Sequence, residues 1–206
     1  SEGIFWATTS SYGCVLLAAN ATCNTQIFNS KYGFGIRLAK DDNNDLGVMT
    51  GNDGKQYATV KIGNQVWMAE NLEETKFRNG ETIPIVTDNT AWSSLTTAGA
   101  CWYNNTRTYN LAPAGWHLPD KTEYDTLITY LGGTTVAGGK VKEVGTVTWD
   151  SPNTGAVNDS NFTAIGAGYR YVSFNEIKKT AILCTSSLNG NLCYTGLLGY
   201  NYPNFY

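Results

Sequence analysis

The chain has 206 residues with a net charge of −3, and only 15% are charged while 42% are hydrophobic. That balance excludes disorder and a helical bundle, and the lack of a basic stripe excludes a nucleic-acid partner. The longest apolar runs are a few residues, so no segment reads as a membrane-spanning helix. The chain opens on Ser1 with no initiator Met or apolar leader, which fits a processed or trimmed product.

Residues 1–40 read as short strands between turn formers. Gly3 to Trp6 is one run, and Gly33 to Leu38 is another, with Phe34, Ile36 and Leu38 on one face. Cys14 and Cys23 enclose eight residues, as do Cys184 and Cys193. The repeated spacing points to two local disulfides, against the plainer reading of buried thiols. The second loop carries Asn189-Gly190, a strong two-residue hairpin signal. That turn sets Ser186 opposite Cys193, so a Cys184 bridge needs a bulge or a longer loop. Cys101, in an apolar strand-like run, is left as an odd buried thiol. With no CxxC and one histidine, no zinc site or other metal or cofactor is expected.

Residues 41–50 read as a polar connector, and residues 51–206 as the main domain. Within it, Asn52-Asp53-Gly54 turns, Tyr57 to Ile62 alternates, Gly63-Asn64 turns and Gln65 to Met68 returns, predicting a hairpin. Glu70, Glu73 and Glu74 read as a solvated acidic face. The clearest helix covers about 120–131. Asp120 and Glu123 form a capping box, Tyr124, Leu127, Ile128 and Leu131 share a face, and Gly132-Gly133 stops it. A short second helix is expected between Val136 and Val144. His117, before Pro119, reads as a structural turn residue, since no nucleophile or base pairs with it in sequence. The chain is therefore not expected to be an enzyme. Tyr194, Tyr200, Tyr202 and Tyr206 are candidate contacts for a glycan or protein, or else rings that cover the core.

Several segments together resemble one family. They are Asp53-Gly54 with the run from Tyr57 to Leu72, Cys101-Trp102-Tyr103-Asn104-Asn105, and Pro113-Ala114-Gly115-Trp116-His117-Leu118-Pro119. Gly138-Gly139-Lys140, Trp149-Asp150-Ser151-Pro152-Asn153-Thr154-Gly155 and Phe162-Thr163-Ala164 follow in order. The chain is similar here to the Fibrobacter succinogenes major paralogous domain family of bacterial surface and secreted proteins. The resemblance implies an α+β, C-type-lectin-like fold of mainly antiparallel strands. Calcium-dependent sugar motifs of C-type lectins are missing, and so are reactive cysteines of the related formylglycine-generating enzymes.

Two departures stand out. Family members carry Cys where Ala112 stands, and end on a strand Gly-Phe-x-Val-Arg-Cys. Its likeness here is Gly33-Phe34-Gly35-Ile36-Arg37-Leu38, with Leu38 at the Cys place. The family's closing strands thus stand at the N-terminus, and the joint loss of both cysteines implies that residues 33–38 lie beside Ala112. A permuted domain, an arm donated to a neighbouring subunit and a cut from a tandem array all account for this. The expectation is a secreted or cell-surface structural and adhesive protein. Phe5, Trp6, Ile27, Phe34, Ile36 and Leu38 would insert into a copy to build a filament or pilus. A monomeric module binding carbohydrate or protein is the alternative.

Overall fold

A computed structural model describes residues 6–7, 13–16, 25–28, 33–84, 86, 88–94, 111–170, 173–189 and 192–206. The strands of the first fifty residues are β1 (Trp6–Ala7), β2 (Gly13–Leu16), β3 (Thr25–Phe28), β4 (Gly33–Phe34), β5 (Ala39–Lys40) and β6 (Val48–Thr50). Then come β7 (Gln56–Ile62), β8 (Gln65–Met68), α1 (Asn89–Ser93), β9 (Trp116–His117), α2 (Lys121–Tyr130) and α3 (Thr134–Val141). The chain closes with β10 (Tyr169–Arg170), β11 (Phe174–Asn175), β12 (Thr180–Asn189) and β13 (Leu192–Gly199). The architecture is α+β, with mostly antiparallel strands and short flanking helices.

Among the described residues the largest sheet runs β6-β7-β8-β5-β9, and a second runs β1-β4-β10-β11. The hairpin predicted around Gly63-Asn64 is present, with Ile62 opposite Gln65 and Thr59 opposite Met68. The connector is shorter than the sequence predicts. Residues 41–47 are mostly exposed, but Val48–Thr50 alternates around buried Met49 and pairs with β7 as a further hairpin across Asn52-Asp53-Gly54. The apolar-polar alternation was legible there, and the adjacent polar run masked it.

The main helix begins where its cap predicts. The Asp120 carboxylate accepts from Glu123 N at 2.8 Å, and Glu123 Oε2 accepts from Asp120 N at 2.8 Å. Tyr124, Leu127 and Ile128 face the core. Helix α3 starts two residues before its predicted span and carries Gly138 and Gly139, both poor helix formers. Tertiary packing explains them. A Cβ on Gly138 would collide with the Asn204 carbonyl, and one on Gly139 with the Gly155 carbonyl. Gly139 N also donates to Pro203 O at 2.9 Å. Gly138→Ala is therefore expected to destabilise by about 1–3 kcal/mol through overpacking, despite its gain in helix propensity. Urea unfolding of the variant measures this, and a stabilised variant would contradict it.

The β12–β13 hairpin closes one residue later than predicted. Asn189 pairs with Leu192 and Leu188 with Cys193, whereas the predicted turn sets Leu188 opposite Asn191. A register shift between Cys184 and Leu188 puts Thr195 opposite Cys184 and Leu188 opposite Cys193. The two cysteines of the predicted pair are therefore not opposite each other in the ladder, and Cys184 is buried. Cys14 lies in β2 opposite Ile27, while Cys23 and Cys101 lie outside the described residues.

Candidate functional site

Residues 33–38 form the centre of the candidate site. An isolated amphipathic strand would turn Arg37 outward, opposite Phe34, Ile36 and Leu38. Instead every residue from Gly33 to Leu38 is buried, because the segment is covered on both faces and paired on both edges. Gly35 N donates to Ile182 O at 3.0 Å and Gly35 O accepts from Cys184 N at 3.1 Å. On the other edge, Leu72 N donates to Ile36 O at 3.0 Å and Met68 N to Leu38 O at 3.0 Å. Ala39 then pairs with both Trp67 and His117, between β8 and β9 of the large sheet.

Phe34, Ile36 and Leu38 enter one core cluster with Ala112, Trp116, Met68 and Leu72. Leu38 and Ala112 thus share one apolar environment. Phe5 lies outside the described residues, and Trp6 and Ile27 are defined by strand pairing alone, with Phe34 and Cys14 respectively.

Arg37 is fully buried and has no described carboxylate partner. Its Nε donates to Asn71 Oδ1 at 2.8 Å, Nη1 to Phe162 O at 2.5 Å and Met68 O at 3.2 Å, and Nη2 to Thr163 O at 2.8 Å. The guanidinium also lies 4.7 Å from the Phe162 ring centroid. Burial pulls its pKa below the ordinary arginine value. One side chain thus ties the N-terminal segment to the β8 end and to the 162–163 loop. The Gly-Phe-Gly-Ile-Arg-Leu run was a signal for this arginine, but only packing shows that both faces of the strand are covered.

Where this segment leaves the core, His117 stands between two carboxylates. Nδ1 is 2.6 Å from Asp41 Oδ1, and Nε2 is 2.8 Å from Glu123 Oε1. Partial burial pulls the imidazole down, but the bonds to Asp41 and Glu123 outweigh it and raise its pKa. Both ring nitrogens are engaged at the mouth of an open cleft of 500 Å³ that includes Leu118, Asp120 and Ser186. Asp41 N also donates to Gly115 O at 2.9 Å, pinning the start of the connector.

The acidic run divides. Glu70 is exposed and Glu73 pairs with Lys55, whereas Glu74 is 0% exposed rather than part of a solvated face. Its carboxylate closes the 51–54 turn, accepting from Asn52 N at 2.8 Å and Asp53 N at 3.2 Å. Burial raises its pKa to about 7. The unfolded value is lower, so between about pH 4.5 and 7 the folded state holds a proton that the unfolded state has lost. Stability therefore falls as pH rises through that window, by roughly 2–3 kcal/mol from this group. The His117 contribution is present below pH 6.5 and is lost as pH rises through its raised folded pKa. Asp53 and Asp120 have lowered values, so their contribution is lost as pH falls through the acid range. Thermal melts should accordingly show maximum stability at about pH 4 to 4.5. Glu74→Gln should flatten the decline between pH 4.5 and 7, and an unchanged profile would refute the assignment.

The four tyrosines do not form one face. Tyr194 lies at the start of α2, with Lys121 Nζ 5.7 Å from its ring, and Tyr200 packs partly into the core. Tyr202 and Tyr206 meet edge to face at 5.9 Å, where the tail returns over Leu197 and Thr134.

Among the described residues no group of three or more His, Cys, Asp or Glu side chains is arranged to hold a metal ion. No described helix is long and apolar enough to cross a membrane. No curated protein and no solved structure matches the chain. The model of one family, the Fibrobacter succinogenes major domain, matches residues 60–193, well over half of the sequence. The chain belongs to the Fibrobacter succinogenes major domain family.

Proposed function

We propose that this protein is a secreted or cell-surface structural and adhesive module, with a C-type-lectin-like fold, that assembles with its own copies by strand donation. The family's association with bacterial surfaces supports the location. One observation carries the assembly: a fully buried extended segment, residues 33–38, is joined to the main domain by a mostly exposed polar connector at 41–47. Because this segment is bonded on both edges, a domain without it would expose two unpaired edges and an open core. A neighbour's arm would satisfy the same groups, which is the logic of strand complementation and domain exchange. The reading is non-enzymatic, and the occupation of both His117 nitrogens by carboxylates supports it.

A second reading is a permuted monomer that closes on its own arm and binds a surface glycan or protein. The pinning of Asp41 to Gly115 and His117 favours it. Between β5 and β6 lie three strand spacings, about 14 Å, and seven residues reach about 23 Å. Removing residues 1–40 is expected to abolish cooperative unfolding, and a peptide of residues 1–40 added in trans is expected to restore it. Electron microscopy of the native protein then decides between the two readings, since polymer supports donation and monomer supports self-closure. A truncated chain that stays folded would sink both.

A further inference from the structure

We infer that the cleft between the β7–β8 hairpin, the end of α2 and the 158–163 loop is a binding site for an acidic saccharide. The cleft measures 370 Å³, within the range of small-ligand sites. Tyr130 is 65% exposed at its rim, and its ring rests on the positive-φ turn residue Gly63. The ring is thereby backed by the turn yet mostly exposed, which suits stacking against the C–H face of a pyranose. Lys61, Lys140, Asp159 and Asn161 line the same cleft. Among the described residues, none of these four side chains is committed to a hydrogen bond or an ion pair. Asp159 and Asn161 supply acceptors and a donor for hydroxyl groups, while the two ammonium groups exceed the one carboxylate and select an anionic sugar.

The loop that presents Asp159 and Asn161 is held rigidly. Asn158, Asn161 and Thr163 adopt φ values of 51°, 55° and 54°, in the left-handed region that Asn enters readily but that strains the β-branched Thr163. Two side chains secure it. Asn158 Oδ1 accepts from Thr163 N at 2.9 Å, and Ser160 Oγ donates to Lys140 O at 2.8 Å. Backbone strain maintained beside a cleft is characteristic of ligand sites, and a fixed loop lowers the ordering cost of binding.

Calorimetric and NMR titrations of the whole chain with trigalacturonate test the site, with cellotriose as the neutral control. Trigalacturonate should bind and shift the amides of residues 60–62, 130 and 159–161. Tyr130→Ala and Lys140→Gln should each weaken binding by about tenfold or more, with Tyr206→Ala unaffected. Tyr130 and Lys140 are away from the core, so unchanged melting curves should accompany the loss. No binding, equal binding of cellotriose, or undiminished binding by Tyr130→Ala at an unchanged melting temperature would overturn the inference. The site needs no polymer, so its failure leaves the arm-donation reading intact.

Discussion

Replacing Arg37 with methionine is expected to cost the fold about 3 kcal/mol, and so lower its melting temperature by about 6–12 °C. Two opposing effects set that size. The substitution removes a buried charge, and relief of its desolvation is stabilising. It also strips the donor from Asn71 Oδ1 and from the Met68, Phe162 and Thr163 carbonyls. Each acceptor left unsatisfied in the interior costs about 1–3 kcal/mol, so the loss of four donated bonds outweighs the relief. Arg37→Lys should recover less than half, because one ammonium cannot reproduce the planar fork. Denaturant unfolding at pH 5 is the measurement. A loss below about 1 kcal/mol for the methionine variant would show that the acceptors find other partners.

Lys142→Met is the second large effect, at about 2–3 kcal/mol. Lys142 is 0% exposed, and its ammonium donates to Thr154 O and Gly199 O at 2.9 Å and to Tyr202 O at 3.0 Å. It lies 5.5 Å from the Trp149 ring centroid. Burial pulls its pKa down to about 8, so the charge is held at neutral pH by these carbonyls at some cost. The loss should be local first. Hydrogen exchange at Tyr200, Phe205 and Tyr206 should speed up before the rest of the domain opens, because Lys142 ties the tail to α3. Lys121→Met, which removes the exposed pair with Asp125 and the Lys121 contact with the Tyr194 ring, should stay within about 1 kcal/mol. Equal effects at the two lysines would remove the argument.

Arg37 and Lys142 also mark where sequence reasoning stopped. Both are cations, and the default for a charged side chain is solvent. The Gly33–Leu38 run showed its apolar face, but its other face is covered by the β8 end and the 162–163 loop, more than a hundred positions away in the latter case. Glu74 failed in the same way. It stands four residues after exposed Glu70, but Gly51 closes over it and Tyr57 and encloses it. The Tyr130 cleft was invisible for a related reason, since its lining comes from β7, α2, α3 and a distant loop.

What the sequence determined by itself is whatever depends on near neighbours. The capping box at Asp120 and Glu123, the stripe of Tyr124, Leu127 and Ile128, and the Gly63-Asn64 hairpin are settled within a few residues by hydrogen-bond reach and side-chain period. The ordered motifs from Asp53 to Ala164 likewise identified the family. Tertiary structure decided which polar groups are buried and what they bond, how the Cys184 strand shifts against Cys193, and that residues 33–40 run through the middle of the domain. Those outcomes depend on contacts between segments far apart in the chain, because burial and the pairing of a central strand are properties of what covers it.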